Sequence, residues 1–221
     1  MSLSDETIRT IAMAAERVPG PRTIIWPMPG RLDAMIPFET YIEWQTFFLR
    51  FGLRPGIPAI VPAKYDCALK LHLLAWIDSD IIKAGEIAAL TTLELRLRDR
   101  YGDKVRDKRG KISFNRLLRY MVEFDGLSDE QLPMQQRCGL GSIVKRIIGE
   151  PKPTRADIRR NPTLADIRND LAHGFPFDGL PWAGLLEAVH DLIEYAYRGM
   201  IAEYVPNDFA ESIHECGLPD I

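Results

Sequence analysis

The fold class of this chain is decided by residues 64–101, KYDCALKLHLLAWIDSDIIKAGEIAALTTLELRLRDRY. This stretch contains no proline and a single glycine, Gly85, and its apolar residues recur at the three- and four-residue spacing of an α-helix. Leu69, Leu73, Trp76 and Ile77 show this spacing, and the polar run at 78–80 interrupts it. We therefore predict one very long helix, or two helices in tandem that meet near residues 78–80.

The same spacing predicts further helices along the rest of the chain. They lie at about 4–18, 38–51, 112–125, 140–149, 163–173 and 182–204. Short turns rich in glycine, proline and aspartate join the later ones, and no convincing strand pattern or internal repeat is present. The expected class is therefore all-α, an antiparallel helical bundle.

The first 63 residues differ in composition from the rest. Half of the 16 prolines fall between Pro19 and Pro62, which forbids long regular elements outside the helix at about 38–51. The irregular segments nevertheless carry Trp26, Met28 and Met35, which makes them too apolar for a disordered linker. We expect a proline-rich helical extension at 1–63 that packs on a bundle at 64–205, followed by an acidic tail at 206–221.

Charge is distributed unevenly along the chain. The net charge is −3, but residues 96–170 carry 18 basic and 11 acidic groups, whereas residues 171–221 carry 1 basic and 9 acidic groups. A locally positive surface favours a nucleic-acid backbone, although an acidic protein does not bind one strongly through charge alone. The acidic tail is expected to repel RNA or to occupy the basic face.

Composition excludes several classes of protein. The chain of 221 residues is 46% hydrophobic and 27% charged, which is typical of a globular protein. Cys67, Cys138 and Cys216 are odd in number and far apart, so we expect neither a disulfide framework nor a zinc site. We find no signal sequence or apolar stretch of about 18 residues, and therefore expect a cytoplasmic protein without a membrane partner.

The segment Arg168-Asn169-Asp170-Leu171-Ala172-His173-Gly174 is the one that suggests a chemistry. It closes a predicted helix that Thr163 would cap and Gly174 would end. Asn169 and His173 are four residues apart and share a face, and Arg168 is long enough to reach them. A guanidinium matches a pair of phosphate oxygens, and an imidazole can gain or release a proton near neutral pH.

These residues resemble the signature of the HEPN superfamily, in which an arginine and a polar residue precede a histidine. Arg168, Asn169 and His173 fit that signature, and residues 89–98 look like the long early helix of such domains. The resemblance covers roughly residues 64 to 205. It implies a helical domain that is often a metal-independent endoribonuclease, with arginine and histidine acting on the scissile phosphate, and in other members a non-catalytic binding or interaction module.

That resemblance implies a mechanism and partners. The ribose 2′-hydroxyl would attack its own phosphodiester, which requires a base, an acid and a cation. Each chain offers one motif histidine, so a homodimer would bring two copies of His173 and of Arg168 into one cleft. Asn169 could orient the imidazole or bind the phosphate. RNA is the expected substrate, a protein inhibitor or antitoxin is a possible partner, and no cofactor is expected.

Other interpretations of the motif remain open. Arg168 could pair with Asp166 or Asp170 on a solvated helix, His173 could simply cap it, and the match could arise by chance in an unrelated helical protein. Glu94 could orient Arg168 or His173 across the bundle, or pair with Arg98 four residues on. His72 is expected to be a packed histidine of the core or of an interface rather than a catalyst.

Two basic clusters are candidates for RNA contact. The first runs from Arg96 to Lys111 and is interleaved with acids, as solvated faces usually are. The second, which we rank higher, precedes the motif helix and consists of Lys145, Arg146, Lys152, Arg155, Arg159 and Arg160. His190 and Glu194 have a minimal metal-ligand spacing, but no third ligand is evident, so we expect no metal site.

Overall fold

The computed structural model describes residues 3–139, 141–149, 161–174 and 182–203, and these are mostly helical with one small β-hairpin. The N-terminal elements are α1 (Asp5–Ala15), β1 (Arg22–Met28), β2 (Arg31–Phe38) and α2 (Tyr41–Leu49). Then come α3 (Ile60–Leu74), α4 (Ile81–Val105), α5 (Phe114–Glu123), a 3-10 turn (Asp129–Gln131), α6 (Pro133–Cys138) and α7 (Ile143–Ile148). The last described elements are α8 (Leu164–His173), α9 (Leu185–Ala196) and α10 (Arg198–Glu203).

Helix α4 forms the centre of the molecule. Helices α3, α5, α8 and α9 pack against it, and Ala89, Leu90, Leu93 and Leu97 on its inner face are fully buried. The long proline-free stretch is therefore two helices in tandem, and the predicted break is confirmed because α3 ends at Leu74 and α4 begins at Ile81. His72 lies in this core, 2% exposed, as expected.

The expectation that residues 19–37 are irregular was wrong, because they form an antiparallel hairpin. Strand β1 pairs with β2 from Arg22 opposite Phe38 to Met28 opposite Arg31, with an irregularity between Trp26 and Met28. Proline has no backbone N–H to donate to a neighbouring strand. In a sheet of two strands, each strand has one edge that pairs with no other strand, so a proline whose missing N–H would face that edge costs no hydrogen bond between strands. Pro29 and Gly30 form the turn, and Gly30 supplies the positive φ of 74°.

An aromatic cluster joins the N-terminal segments to the bundle. Trp26 on β1 packs edge-on against Phe47 and Phe48 of α2, with ring centroids 4.9 and 5.8 Å apart. The indole of Trp44 donates a hydrogen bond to the backbone oxygen of His72 at 2.9 Å. The hairpin, α2 and α3 therefore belong to the same buried core as α4.

The C-terminal half differs from the sequence prediction in two places. The helix expected at 182–204 divides at Tyr197 into α9 and α10, and the short helix α6 lies where none was expected. Every residue of helix α9 is buried apart from His190, whose side chain is 15% exposed. No helix in the described ranges is long and apolar enough to cross a membrane.

Candidate functional site

The motif helix α8 begins and ends where its sequence predicts. The Thr163 hydroxyl accepts a hydrogen bond from the backbone N–H of Asp166, and the Asp166 carboxylate accepts one from the backbone N–H of Thr163, which completes a capping box. Gly174 follows His173 with a φ of 63° and closes the helix in a left-handed conformation. Leu164 and Ile167 are buried, so the inner face of α8 is fixed against the bundle.

Arg168 is held in place by a carboxylate from the central helix. Its Nη2 lies 2.6 Å from Oε2 of Glu94, and its Nη1 donates to Oδ1 of Asn169 at 3.1 Å. The Arg168 side chain is 32% exposed and the Glu94 side chain 10% exposed, so the ion pair lies at the edge of the core. Glu94 therefore engages one Nη atom of the guanidinium, and Asn169 engages the other.

Glu94 pairs both with Arg168 across the bundle and with Arg98 four residues on, the two arginines considered for it in the sequence. Its second oxygen, Oε1, accepts from Nη2 of Arg98 at 3.0 Å. The carboxylate therefore bridges two arginines, and the trio of Glu94, Arg98 and Arg168 carries one net positive charge. Asp166 does not compete for Arg168, because its carboxylate belongs to the capping box.

Asn169 and His173 lie on the outer face of α8 and are both exposed. Because they are four residues apart, their side chains point the same way, and Arg168 is roughly 100° round the helix from Asn169. The Asn169 amide oxygen accepts a hydrogen bond from Arg168, so the NH2 group is the part of this amide that can donate to a ligand. Asn169 and His173 thus present an amide and an imidazole on one exposed face, and Arg168 reaches that face through its hydrogen bond to Asn169. A guanidinium and an amide in contact are suited to binding a phosphate group.

The second basic cluster is described only in part. Lys145 is exposed, whereas Arg146 is half-buried and donates from Nη1 to the backbone oxygen of Pro162 at 3.2 Å, just ahead of α8. Burial lowers the pKa of Arg146. Lys152, Arg155, Arg159 and Arg160 lie outside the described residues.

A mostly apolar cleft borders the inner side of the motif helix. Its volume is about 270 Å³, and its lining includes Arg146, Leu164, Ile167 and Trp182. The lining of this cleft does not include Arg168, Asn169 or His173. The motif residues are therefore distinct from those of the cleft, which contacts the buried Leu164 and Ile167 of α8, whereas Asn169 and His173 are exposed.

The cations of the first basic cluster, from Arg96 to Lys111, do not all lie on one solvent-exposed face. Arg96 is 4% exposed, and its Nε and Nη2 have no hydrogen-bond partner among the described residues. Arg98 faces Glu94, and the exposed Arg106 pairs with Asp103 at 3.0 Å. The outward cations begin at the C-terminal end of α4 and continue into the following loop.

His190 and Glu194 belong to a buried network on α9. Glu194 accepts from the backbone N–H of Arg54 at 3.0 Å and from its Nε at 2.6 Å, while Asp191 accepts from the backbone N–H of Met134 at 2.8 Å. Within the described ranges, no group of three or more His, Cys, Asp or Glu side chains is placed to hold a metal ion. These carboxylates connect α9 to segments distant in sequence.

Burial lowers the affinity of His190 for a proton, but hydrogen bonds to Asp191 and Glu194 and their negative charges outweigh it and raise its pKa to about 9. The imidazole Nδ1 lies 3.1 Å from Asp191 Oδ1, and Nε2 lies 3.4 Å from Glu194 Oε1. His190 is therefore a cation at neutral pH that neutralises buried carboxylates.

Two further carboxylates on α4 and α9 have specific partners that sequence analysis did not find. Glu187 accepts from the indole of Trp26 at 2.8 Å and pairs with Arg137 at 2.6 Å, and Glu86 accepts from the backbone N–H of Trp182. The spacing of Glu187, Asp191 and Glu194 on one buried helix is a signal for such a network, but nothing local identifies their partners.

No protein-family model matches this chain, and neither does any curated protein or solved structure.

Proposed function

We propose that this protein is a metal-independent endoribonuclease of the HEPN type that works as a homodimer in the cytoplasm, in a toxin or defence system. The observation that supports the proposal is the position of Arg168, which Glu94 fixes in contact with the exposed Asn169, on the helix that ends at the exposed His173. A guanidinium held in this way needs little reorganisation when it binds a phosphate. The proposal rests on that geometry together with the motif resemblance.

In the proposed reaction the ribose 2′-hydroxyl attacks the adjacent phosphorus. A base removes the hydroxyl proton while the O2′–P bond forms, and an acid returns a proton to O5′ as the P–O5′ bond breaks. The products are a 2′,3′-cyclic phosphate and a 5′-hydroxyl end. Arg168 would stabilise the negative charge on the pentacoordinate phosphorus, and Asn169 would donate its amide N–H to a phosphate oxygen.

A homodimer supplies the second proton-transfer group. His173 is exposed at the end of α8, so the same residue of a second copy can approach it across a two-fold axis. One imidazole would then act as the base and the other as the acid. We expect the active species to be a dimer in sedimentation experiments, and cleavage by a strictly monomeric protein would contradict this part of the proposal.

The deciding experiment is cleavage of a mixed tRNA and mRNA pool in EDTA. The wild type is expected to cleave the pool, and His173→Ala and Arg168→Ala are each expected to reduce the rate at least a hundredfold, as loss of an acid–base group or a charge stabiliser does. Arg9→Ala is the matched control, because Arg9 is an exposed arginine on α1. Its rate should equal that of the wild type.

A further variant separates positioning from direct action. Glu94→Gln keeps a side chain of the same size that can still accept a hydrogen bond from Arg168, but it removes the negative charge that holds the guanidinium. We therefore expect an intermediate rate, with kcat reduced more than KM is changed. Far-UV circular dichroism of each variant checks that the helices persist. Equal activity in the wild type, His173→Ala and Arg168→Ala would refute the proposed site.

A second candidate function is a non-catalytic helical interaction module. The ion pair between Arg168 and Glu94 favours it, because one side of the guanidinium is already occupied. In that case a folded wild type leaves the RNA intact, and the pair contributes to stability alone. A double-mutant cycle of Arg168→Ala and Glu94→Ala in urea unfolding would then show a coupling energy without any effect on RNA.

A further inference from the structure

A second surface with a distinct chemistry lies at the C-terminal end of α4. It comprises the last turn of α4, the loop at 106–113 and the outer face of α5, and we call it the basic–aromatic surface. Its residues are Lys104, Arg106, Lys108, Arg109, Lys111, Arg116, Arg119, Tyr120 and Phe124. Two adjoining depressions of about 370 and 530 Å³ cover it, and both are lined by Arg106 and Arg116.

Most of the positive charge on this surface is open to a ligand. Arg106 pairs with Asp103 and Arg119 pairs with Glu123, at 3.0 and 2.7 Å. The carboxylate of Asp107 is engaged by the loop itself, since its Oδ1 accepts the backbone N–H groups of two residues that follow. Five exposed cations of this surface have no carboxylate partner in the described part of the chain: Lys104, Lys108, Arg109, Lys111 and Arg116.

The loop that carries these cations has a defined shape. Asp107 accepts from the backbone N–H of Arg109 and of Lys111, at 2.8 Å each, and its own N–H donates to the backbone oxygen of Lys111 at 3.0 Å. Gly110 supplies the positive φ of 75° that this turn requires. Lys108, Arg109 and Lys111 therefore project from a closed turn, which lowers the entropic cost of binding an anion.

An exposed aromatic stack adjoins the cations. The ring of Phe124 is 72% exposed and stacks on Tyr120, with centroids 5.1 Å apart and planes inclined by 19°. Tyr120 in turn packs on the buried Tyr101 at 5.2 Å, and Nζ of Lys104 lies 5.7 Å from the Tyr120 centroid. Phe124 thus ends a supported stack of rings that a further flat ring could extend.

The loop is also tied to the ion pairs behind the motif helix. Nη2 of Arg98 donates both to Glu94, at 3.0 Å, and to the backbone oxygen of Ile112, at 3.4 Å. Glu94 holds Arg168 through its other oxygen. The loop of the basic–aromatic surface and the motif helix are therefore linked through Arg98 and Glu94.

We propose that the basic–aromatic surface binds single-stranded RNA. The unpaired cations would contact successive phosphates, and one base would stack on the outer face of Phe124. An acidic protein would use the cations but would have no need of the stacked ring. A duplex keeps its bases inside the helix and could not stack on Phe124. This surface lies outside the motif, and its binding does not require that the protein cleave RNA.

The test is binding of a fluorescent 12-nucleotide 2′-O-methyl RNA, measured by anisotropy at several salt concentrations. This probe cannot be cleaved through a 2′-hydroxyl, so a failure of the ribonuclease proposal leaves the result interpretable. In the triple variant Lys108→Glu, Arg109→Glu, Arg116→Glu, loss of three phosphate contacts should reduce the slope of log K against log salt by about 2. The matched control reverses three exposed cations on α1, after α1 and on α3: Arg9→Glu, Arg17→Glu and Lys64→Glu.

The aromatic contribution has its own variant. Phe124→Ala should weaken binding about tenfold and leave the salt slope unchanged, because stacking involves no counterion release. Ile42→Ala is the control, since Ile42 is also 72% exposed but lies on α2. All of these positions are on the surface, so the variants should fold, and circular dichroism verifies it.

Three outcomes would overturn the proposal. The first is equal loss of affinity in the control triple variant, which would mean that only overall charge matters. The second is equal affinity for the single strand and its duplex, together with no effect of Phe124→Ala. The third is preferential binding of a polyglutamate peptide at the same salt concentration, which would assign the surface to an acidic protein.

Discussion

The pH dependence of stability should be controlled on its alkaline side by one buried histidine. His190 has a pKa of about 9 in the fold, against an ordinary value of 6.5, because its bonds to Asp191 and Glu194 outweigh the cost of burial. The folded protein therefore binds a proton more tightly than the unfolded chain. The resulting stabilisation is complete below pH 6.5 and is lost as the pH rises through about 9.

The magnitude follows from the two pKa values. One pH unit between the folded and unfolded pKa corresponds to about 1.4 kcal/mol, so a rise from 6.5 to about 9 contributes roughly 3 kcal/mol. The free energy of unfolding should therefore fall by roughly this amount between pH 6.5 and pH 9.5. For a protein with about 10 kcal/mol of stability, that is a large fraction of the total.

Urea unfolding at half-unit steps of pH, followed by circular dichroism, measures the effect. His190→Gln keeps a polar group of similar reach but cannot be protonated, so its profile should be nearly flat from pH 6.5 to 9.5. The variant should be less stable than the wild type at pH 6.5 and about equally stable at pH 9.5. Parallel profiles for the two proteins would refute the assignment of the alkaline loss to His190.

The other buried histidine provides an internal comparison with the opposite sign. Burial lowers the pKa of His72 to about 4, against the opposing effect of its hydrogen bond to the backbone oxygen of Ala68. Its neutral form therefore favours the fold above pH 6.5, and that contribution is lost as the pH falls towards 4. Together His72 and His190 should place maximal stability near pH 6.5.

Two substitutions test the packing of the same core. Gly85→Ala should destabilise the fold by about 1–3 kcal/mol in urea unfolding, because a Cβ there would lie 2.5 Å from Nδ1 of the rigid His72 ring; the idea fails if stability is unchanged. Arg137→Ala should cost about 3 kcal/mol, because it leaves the buried carboxylate of Glu187 without its cation. Glu187→Gln in the Arg137→Ala background should recover part of that loss, and no recovery would contradict the explanation.

Much of the fold was predictable because its helices are encoded locally. The apolar spacing of residues 64–101 and the polar run at 78–80 predicted two helices with a break between them, and these are α3 and α4. Thr163 and Gly174 likewise marked the ends of α8 correctly, because caps and left-handed glycines act within one helical turn. The hairpin was missed because prolines count against strands unless the strand is known to lie at an edge.

The sequence by itself determined the helical class, the ends of α8 and the positions of Arg168, Asn169 and His173 on it. Tertiary structure alone decided that Glu94, 74 residues away, holds Arg168, and that Arg116 of α5 and Phe124, the residue after α5, join the loop cations. It also placed Arg54 against Glu194, 140 residues away. Helix propensity and capping depend on neighbours in the chain, whereas ion pairs and composite surfaces depend on how the elements pack, which local spacing does not specify.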